Sequence, residues 1–496
     1  MKQYILSIDQ GTTGTTALIV DHGGNVCGRG YARISQHYPQ TGWVEQDPAD
    51  IWLKTLQAIE EAKSRANADE KQIAAIGIAN QRETTVLINK ETGDAIGPAV
   101  VWQCRRTAAR CDELRSQGFA ELIRAKTGLV LDAYFSGTKL EWMLDNINGI
   151  RPLAERGKVV FANVDTWLIW KLSGGTIHAT DISNASRTML FNIHSLGWDH
   201  DLLELFKIPR AMLPEVRLSS SLFGYTTSGI PVAGVAGDQQ AALFGQACFA
   251  PGMVKITFGT GAFVLMNTGA NPVNSKHGLV TTIAWGTAEG VEYALEGSIF
   301  IAGAVIQWLR DELGLIADPA ESEQLANEVK DTAGVYFVPA FIGLGAPHWD
   351  MYARGTIVGL TRGTRKSHIV RAALESMAYQ VCDVVKAMTG DSRLRLKEIR
   401  VDGGAASNNY LAQFQADMLG VKLSRPRWVE TTALGAAYLA GLTVGFWKDR
   451  AEIASLWQGD CFFIPGTERE KYRTLYRGWR RALKRSKRWL KQEEAR

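Results

Sequence analysis

Two glycine- and threonine-rich turns, half a chain apart, constrain the fold of this sequence more than any other feature. The first turn lies in LSIDQGTTGTTALIV, residues 6–20, and the second lies in VKITFGTGAFVLMNTG, residues 254–269. Gly11 and Gly259 are 248 residues apart in a chain of 496. Each turn separates two apolar runs of strand length, so each predicts a hairpin at the start of one half. The spacing therefore predicts two halves built on one plan.

A second pair of segments supports this repeat. In each half an apolar strand runs into an acid beside a glycine and then into a helix, at Asp238 in the first half and at Asp402 in the second. Strands and helices alternate between these points, as in α/β proteins. We therefore expect an α/β fold with a first domain over residues 1–246, a second over residues 247–496, and a cleft between them.

The composition of the first turn indicates an anion site. A hairpin that only reverses the chain needs about two residues, whereas this turn uses eight small or hydroxyl-bearing residues. Glycine lets backbone N–H groups approach a phosphate, and threonine hydroxyls add further donors. Asp9 would repel a phosphate but suits the magnesium ion that accompanies one. The alternative interpretation is a polar turn capped by the aspartate side chain.

Composition and length exclude several classes of protein. The apolar run at the N-terminus is interrupted by Asp9 after a few residues, so it does not predict a signal peptide. The longest uncharged stretch, residues 431–447, is shorter than the roughly 20 residues of a membrane span and instead predicts a tightly packed buried helix. The six cysteines form no CxxC pair, so we expect neither a zinc site nor disulfides, and a cytoplasmic location.

The positive net charge of +4 belongs to the C-terminal tail, where residues 469–491 contain eleven lysines and arginines. Apolar residues of this tail recur at helical spacing and predict a helix docked by one face; they are Tyr472, Tyr476, Trp479, Leu483 and Leu490. The basic face of such a helix could bind nucleic acid or anionic lipid. We expect it instead to be a solvated face, with no nucleic-acid partner and no stable membrane insertion.

The sequence lacks several well-known catalytic motifs. It contains no GxxxxGK[ST] loop, no GxGxxG after a strand, and no protein-kinase HRD or DFG motif. It also contains neither HExxH nor GxSxG. A nucleotide, if bound, would therefore be held by the paired hairpins.

Six segments in order resemble one family. They are DQGTTGTT, NQRETT (80–85), GDQQAALFGQ (237–246), FGTGAFVLMNTG, GAPHWDMYARGTIVGLTRGT (345–364) and DGGAASNNYLAQFQAD (402–417). Together they resemble the bacterial glycerol kinases, which belong to the carbohydrate kinases. The resemblance runs from the first strand to about residue 465. It implies two ribonuclease H-like domains of the actin and hexokinase type, with a central cleft for nucleotide and substrate.

The resemblance also implies an activity, which is phosphorylation of glycerol by ATP with Mg²⁺ to give sn-glycerol 3-phosphate and ADP. Asp238 matches the general base of the family, whereas its position alone is equally consistent with a helix N-cap. One alternative is a sister kinase acting on another polyol or on a ketose such as xylulose. Another is a non-catalytic nucleotide switch on the same fold.

The family's binding residues carry over position by position. The predicted substrate-binding residues are Arg82, Glu83, Trp102, Tyr134, Asp238, Gln239 and Phe263. The predicted nucleotide-binding residues are Thr12, Thr13, Gly14, Thr260, Gly303, Gln307, Gly404 and Asn408, and Asp9 is the predicted magnesium ligand. Adjacent strand residues point to opposite faces, so Arg82 and Glu83 can contact one ligand only if the strand ends or bulges there.

The sequence departs from the family pattern in two places. Many relatives have an arginine where this chain has Thr16, which removes one expected phosphate contact. Residues 219–234 contain neither the insertion that binds an inhibitory sugar bisphosphate in some relatives nor the histidine that is phosphorylated in others. We therefore expect both controls to be absent. The resemblance further implies a homo-oligomer, either a dimer or a tetramer.

Overall fold

The structure is a computed structural model that describes residues 2–490. The expected first domain begins at residue 1 and the expected second domain ends at residue 496. Residues 1 and 491–496 lie outside the described range. The strands of the first half are β1 (Tyr4–Gln10), β2 (Gly14–Asp21), β3 (Val26–Arg33), β4 (Glu45–Gln46), β5 (Ile73–Asn80), β6 (Val86–Asn89), β7 (Ala99–Val100), β8 (Val159–Ala162), β9 (Ala179–Asp181), β10 (Phe191–Asn192), β11 (Gly197–Trp198), β12 (Glu215–Arg217), β13 (Ser220–Tyr225) and β14 (Pro231–Gly237).

Nine helices of the first half lie between or after these strands in the described chain. They are α1 (Pro48–Ala66), α2 (Ala108–Ser116), α3 (Ala120–Thr127), α4 (Ser136–Asn146), α5 (Ile150–Glu155), α6 (Val164–Leu172), α7 (Ile182–Ala185), α8 (His200–Leu205) and α9 (Asp238–Gly245). Two 3₁₀ turns cover Glu70–Gln72 and Arg210–Met212. At the start of helix α1 the side chain of Asp47 accepts a hydrogen bond from the backbone N–H of Ala49, and proline occupies the first turn.

The second half contains fewer and longer elements. Its strands are β15 (Met253–Phe258), β16 (Ala262–Gly269), β17 (Val280–Thr287), β18 (Gly290–Ile299), β19 (Tyr336–Val338), β20 (Thr356–Val358), β21 (Glu398–Asp402), β22 (Leu423–Pro426) and β23 (Gly459–Phe463). Its helices are α10 (Gly303–Asp311), α11 (Glu321–Asn327), α12 (Lys366–Ser392), α13 (Asn409–Leu419), α14 (Thr431–Thr443), α15 (Arg450–Leu456) and α16 (Arg469–Ser486), with a 3₁₀ turn at Gly404–Ser407.

The two large sheets share the arrangement of six strands, and the second has β17 as an additional edge strand. The first has the order β13-β14-β5-β1-β2-β3, and the second has the order β17-β18-β16-β15-β21-β22-β23. In each, the first strand pairs antiparallel with the second and parallel with the strand on its other side. The carboxyl ends of the central parallel strands, where ligands bind in open α/β sheets, carry the predicted site residues.

The expected equivalence of Asp238 and Asp402 is wrong. Asp402 ends β21, which lies next to the hairpin strand β15, whereas Asp238 follows β14, which lies one strand further from the hairpin. The strand equivalent to β21 is β5, and it leads to Arg82 and Glu83. An apolar strand that ends in an acid and a glycine is therefore found at two different positions in the sheets.

The first sheet is covered on both faces, so β1 is apolar on both sides. Leu6 and Ile8 pack with residues of α1 on one face, and Ile5 packs with residues of α14 on the other. Helix α14 comes from the second half of the chain. It lies so close to the first sheet that a Cβ atom at Gly77 would collide with the backbone of Ala436.

The predicted packed helix over 431–447 is confirmed, although it ends at Thr443. A Cβ atom at Gly435 would collide with the backbone of Ala241 in α9, so this glycine permits the close contact of the two helices. Among the helices described over residues 2–490, none is both long enough and apolar enough to span a membrane.

The predicted docked helix of the tail is α16, with Trp479 fully buried and Leu483 nearly so. Nε1 of Trp479 donates a hydrogen bond of 2.9 Å to Oδ2 of Asp383 in α12. The expectation for Leu490 is wrong, because α16 ends at Ser486 and the backbone N–H of Leu490 instead donates to the carbonyl of Tyr352. Helical spacing does not show where the helix stops.

Candidate active site

The turn after β5 brings Arg82 and Glu83 together. The strand ends at Asn80, and Glu83 adopts a left-handed backbone conformation with φ of 63°. Their side chains are 2% and 1% exposed, and Nε of Arg82 lies 3.8 Å from Oε1 of Glu83. The predicted end of the strand is therefore confirmed. The strained conformation of Glu83 is of the kind that is found at functional sites.

Asp238 lies where a strand meets a helix, directly after β14 and as the first residue of α9. Its Oδ1 is 3.2 Å from Nε of Arg82 and accepts a 2.7 Å hydrogen bond from the backbone N–H of Gln239. The N-cap position of α9 belongs to Gly237, so Asp238 does not act as an N-cap. Its side chain is 27% exposed, which leaves the carboxylate accessible to a ligand.

Arg82 and Glu83 are held in place by two further buried charged residues. The sequence did not indicate either of them. Glu296 in β18 accepts hydrogen bonds of 2.6 and 3.0 Å from the guanidinium of Arg82. Arg187, which follows α7, donates a 2.6 Å hydrogen bond to Glu83 and a 3.0 Å hydrogen bond to Glu296. The counter-ions come from chain segments 104 and 214 residues away from their partners.

Three aromatic residues surround the charged groups. Trp102 and Tyr134 pack edge to face with ring centroids 5.4 Å apart. The guanidinium of Arg82 lies 5.9 Å from the ring centroid of Phe263, which comes from β16 of the second sheet. The hydroxyl of Tyr134 is 3.5 Å from Nη2 of Arg82. All three predicted aromatic residues therefore lie beside the Arg82 and Asp238 cluster or beside each other.

Gln239 is linked to the second sheet through Lys255, another residue that the sequence did not indicate. Nζ of Lys255 donates to Oε1 of Gln239 at 2.6 Å and to Oγ1 of Thr257 at 2.9 Å. Thr257 in turn donates to Asp402 at the end of β21. Burial lowers the pKa of Lys255, although the charges of Asp402 and Asp238 oppose this effect.

The first glycine- and threonine-rich turn is closed by a 2.9 Å hydrogen bond from Gly11 N–H to the carbonyl of Gly14. Thr13 is exposed and Thr12 is partly buried. A Cβ atom at Gly14 would come within 2.6 Å of the Tyr31 hydroxyl, so this position requires glycine unless the ring moves. The turn therefore presents backbone and hydroxyl donors in a compact loop.

The second turn packs on the start of α10. The carbonyl of exposed Thr260 accepts hydrogen bonds from the backbone N–H groups of Ala302 and Ala304, and that of Gly259 accepts one from Gly303. Gln307 lies one turn further along α10 and is exposed. The structure thus brings Thr260 and Gly303 together, with Gln307 on the adjoining helix.

Gly404 and Asn408 lie in the loop between β21 and α13. A Cβ atom at Gly404 would meet no heavy atom within 4 Å, so this glycine faces open space. Asn408 is the N-cap of α13, and its Oδ1 accepts a 2.9 Å hydrogen bond from Leu411 N–H. Its Nδ2 donates to Oγ of Ser322 at 3.2 Å. The amide of Asn408 therefore already has structural partners on both sides.

Asp9 fits a magnesium ligand by its chemistry. Burial, together with the negative charges of Asp238 and Glu430, raises the pKa of Asp9 to about 8. A divalent cation at this carboxylate would relieve the repulsion, and hard cations prefer oxygen ligands. Within residues 2–490 no group of three or more His, Cys, Asp or Glu side chains could hold a metal ion. Water and phosphate oxygens would have to complete the coordination.

The missed residues left weak signals in the sequence. Glu296 is an acid inside the apolar strand GVEYALEGSI, and Arg187 follows the polar stretch DISNAS. A charged residue within a buried segment needs a partner of opposite sign. Such a pattern shows that a partner exists, but the identity of the partner depends on the fold.

Family models match most of the chain. Residues 4–245 match the N-terminal domain of the FGGY family of carbohydrate kinases, and residues 254–444 match its C-terminal domain. The chain is 59% identical over 494 residues to a protein named "Glycerol kinase 2" from Thermotoga maritima, covering 99% of this chain and 100% of that protein. It is 58% identical over 497 residues to a glycerol kinase from Caldanaerobacter subterraneus subsp. tengcongensis, with the same coverage.

Solved structures give the same result. The Plasmodium falciparum glycerol kinase crystallised with ADP matches with a TM-score of 0.92 and 36% identity, covering 97% of this chain and 98% of that one. A xylulose kinase from Lactobacillus acidophilus has a TM-score of 0.87 at 22% identity, covering 98% of this chain and 99% of that one, a similarity that shows the fold alone. The predicted two-domain α/β fold of the actin and hexokinase type is thereby confirmed.

Proposed function

The chain belongs to the FGGY family of carbohydrate kinases, and on that basis we propose that it is a glycerol kinase that transfers the γ-phosphate of ATP to glycerol. The products are sn-glycerol 3-phosphate and ADP, and the reaction serves glycerol uptake and catabolism. One observation carries the chemical part of this proposal. The accessible carboxylate of Asp238 lies 3.2 Å from Arg82, beside the buried pair that would bind the acceptor hydroxyls.

Asp238 acts as the general base in this proposal. Its carboxylate accepts the proton of the terminal hydroxyl while the hydroxyl oxygen attacks the γ-phosphorus in line with the leaving ADP. The bond between the γ-phosphorus and the bridging oxygen breaks, and ADP leaves with that oxygen. The position of Asp238 at the start of α9 keeps its carboxylate at the carboxyl end of β14.

The other site residues bind the acceptor. Arg82 donates to one hydroxyl and Glu83 accepts from another, while Gln239 and Tyr134 supply further polar contacts. Trp102 and Phe263 cover the carbon side of glycerol. A small pocket that hydrogen-bonds each hydroxyl rejects analogues that lack one, because its buried polar groups would then be unpaired.

The nucleotide is bound by both turns. We propose that Thr12, Thr13 and Gly14 contact its phosphates from the first turn and that Thr260 does so from the second. The adenosine lies against α10 and the loop after β21, at Gly303, Gln307, Gly404 and Asn408. The open space at Gly404 supports this placement. Asn408 would contribute through whatever hydrogen-bonding capacity its capping role leaves.

Asp9 is the residue that would hold Mg²⁺, directly or through water. When bound, the ion supplies neutralisation of the negative charge on the transferring phosphoryl group. Asp9 itself places its side chain at the base of the first turn, where the negative charge of Asp238 acts on it.

Three further features remain proposals. The domain boundary lies near residue 246, within the gap between the two family matches. The enzyme is cytoplasmic, which agrees with six cysteines that are all free thiols. It forms a homo-oligomer, either a dimer or a tetramer, a proposal that rests on the family resemblance.

An acceptor panel tests the function. ADP release with ATP and magnesium is measured with glycerol, dihydroxyacetone, erythritol, xylulose and no acceptor. Glycerol should be the preferred acceptor, and Asp238→Asn should lower kcat by roughly 10²–10⁴-fold. Asp199→Asn is the matched control, because Asp199 also lies at a helix start but caps α8 away from the site. Preference for xylulose would indicate a sister kinase, and no turnover with any acceptor would indicate a nucleotide switch.

A further inference from the structure

Four buried side chains form a closed ring of alternating charge behind the acceptor site. The buried charge ring consists of Arg82, Glu296, Arg187 and Glu83, and each of the four side chains is at most 2% exposed. Arg82 binds Glu296 at 2.6 Å, Glu296 binds Arg187 at 3.0 Å, and Arg187 binds Glu83 at 2.6 Å. The approach of Glu83 to Arg82 at 3.8 Å completes the ring.

The ring joins the two halves of the chain. Arg82 and Glu83 follow β5 of the first sheet, whereas Glu296 lies in β18 of the second. Arg187 belongs to the first half and touches both acids. The orientation of Arg82 is therefore set by a carboxylate from the opposite sheet.

Glu296 fixes the guanidinium of Arg82 by a bidentate contact. Nη1 donates to Oε2 of Glu296 at 2.6 Å and to Gln240 at 3.1 Å, while Nη2 donates to Oε1 of Glu296 at 3.0 Å. Two parallel hydrogen bonds define both the plane and the rotation of a guanidinium. The remaining donors lie beside Asp238, 3.2 Å from Nε, and beside the Tyr134 hydroxyl, 3.5 Å from Nη2. That edge is the one directed to the acceptor site.

Arg187 holds Glu83 by one hydrogen bond. Its Nε donates to Oε1 of Glu83, and its guanidinium is 5.2 Å from the ring centroid of Phe135 and 5.7 Å from that of Tyr134. These contacts hold a carboxylate whose backbone already has a positive φ of 63°. The second oxygen of Glu83 is thereby left for a ligand.

The pKa values of the two carboxylates in the ring are shifted in opposite directions. The two arginines lower the pKa of Glu296 to about 2 against the effect of burial, so this carboxylate is ionised. For Glu83 burial dominates and raises the pKa, although Arg187 and Arg82 oppose it. Removal of Glu296 would leave the two buried guanidinium groups sharing Glu83, with Asp238 beside Arg82 alone, and they would repel each other.

We propose that Glu296 and Arg187 are positioning residues for the acceptor, which orient Arg82 and Glu83 without contacting glycerol themselves. This inference rests on the proposed function, since it concerns the same site. It predicts that loss of Glu296 weakens the binding of glycerol and leaves the binding of ATP unchanged. A purely structural role would instead lower stability without separating the two substrates.

The test compares Glu296→Gln with wild-type enzyme in KM for glycerol, KM for ATP, kcat and calorimetric glycerol binding without nucleotide. Gln keeps the shape and one acceptor but loses the charge, so KM for glycerol should rise roughly tenfold or more. KM for ATP should stay within about twofold, because no member of the ring lies in either phosphate-binding turn. Glu296→Asp retains the charge and should restore part of the glycerol affinity.

The control is Glu141→Gln. Glu141 is a largely buried acid that accepts hydrogen bonds of 3.0 Å from Nε and Nη2 of Arg110, so the lost interaction is likewise a bidentate ion pair. This variant should lose stability but keep KM for glycerol. If Glu296→Gln does not fold, Glu296→Asp decides, since a selective rise in its KM for glycerol supports the proposal.

The outcomes separate two failures. If wild-type enzyme does not phosphorylate glycerol, the proposed function fails. If wild-type enzyme does so and the folded Glu296 variants keep the glycerol affinity, or lose glycerol and ATP affinity equally, the positioning role is overturned while the function stands.

Discussion

Nε1 of Trp102 donates a hydrogen bond of 2.9 Å to the hydroxyl of Thr12. The two residues belong to different parts of the proposed site, because Trp102 packs on Tyr134 at the acceptor side and Thr12 lies in the first phosphate-binding turn. The bond therefore ties the wall of the acceptor pocket to the loop that would hold the phosphates. Their relative position does not depend on a bound substrate.

Trp102→Phe should weaken both substrates together. The substitution keeps an aromatic ring beside Tyr134 but removes the donor, so the Thr12 hydroxyl becomes free to rotate. We expect kcat/KM for glycerol and for ATP each to fall about threefold to tenfold, the range of one neutral hydrogen bond. Steady-state kinetics with each substrate varied in turn measure the change. Trp198→Phe is the control, because Nε1 of Trp198 donates a hydrogen bond of similar length, 3.0 Å, to the carbonyl of Pro214 away from the site. A fall in kcat/KM for only one of the two substrates would contradict the proposed link between Trp102 and Thr12.

Gly404→Ala should affect the nucleotide and leave the protein as stable as before. A Cβ atom there would meet no heavy atom within 4 Å, so the free protein accommodates it. If the adenosine packs against this backbone, the added methyl group displaces it, and KM for ATP should rise several-fold with an unchanged Tm. Gly197→Ala also enters open space but lies in β11, so it serves as the control. An unchanged KM for ATP would place the adenosine elsewhere.

His178 should make the protein less stable as the pH falls. Burial is the main cause that lowers the pKa of His178 to about 4, and Nε2 lies 2.7 Å from the carbonyl of Phe161. Between pH 6.5 and about 4 the unfolded chain binds a proton that the folded ring does not, so the free energy of unfolding decreases with decreasing pH, by about 3 kcal/mol at most. Chemical denaturation of wild type and His178→Gln at pH 7.5 and pH 4.5 measures the difference. A parallel pH dependence of the two proteins would refute the assignment.

Asp165 should make the protein less stable as the pH rises, which is the opposite of the effect of His178. Burial and the negative charge of Asp181 raise the pKa of Asp165 to about 7, while the Thr180 hydroxyl donates to it at 2.6 Å. Between pH 3.8 and about 7 the folded state holds a proton that the unfolded chain releases, so the free energy of unfolding falls as the pH rises, by about 4 kcal/mol at most. Asp165→Asn removes this loss and should be more stable than wild type at pH 7.5.

The effects of His178 and Asp165 on the free energy of unfolding oppose each other in the wild-type protein, so only the variants separate them. Asp199→Asn gives the contrasting case, because hydrogen bonds from Lys126 and Asn192 hold the pKa of Asp199 below its usual value. Its carboxylate contributes stability above about pH 3.8, and this contribution is lost as the pH falls further. If Asp199→Asn gained as much stability as Asp165→Asn, burial would not be the cause of the gain at Asp165.

Local patterns predicted much of the fold and site. The two turns predicted the two sheets, and the requirement that Arg82 and Glu83 share a ligand predicted the end of β5. These inferences succeeded because each depends on a few neighbouring residues. The inference for Leu490 failed because a helical repeat carries no information about the end of a helix.

The buried charge ring could not be predicted, for a different physical reason. Glu296 pairs with Arg82 across 214 positions in sequence, and the pairing exists only when β18 lies beside the turn after β5. The equivalence of Asp238 and Asp402 failed for the same reason, since strand order is set by long-range pairing. The roles of the individual site residues stay predictions until the variants are measured.

The position of α14 also has a consequence for biosynthesis. This helix, residues 431–443, packs against β1, β5 and β14, so one face of the first sheet is completed only by a late segment of the chain. During translation that apolar face of the first sheet therefore stays uncovered until almost two hundred further residues after β14 have been synthesised. The nascent first half should need chaperone protection over this interval, and two fragments divided at residue 246 should be soluble only when they are made together.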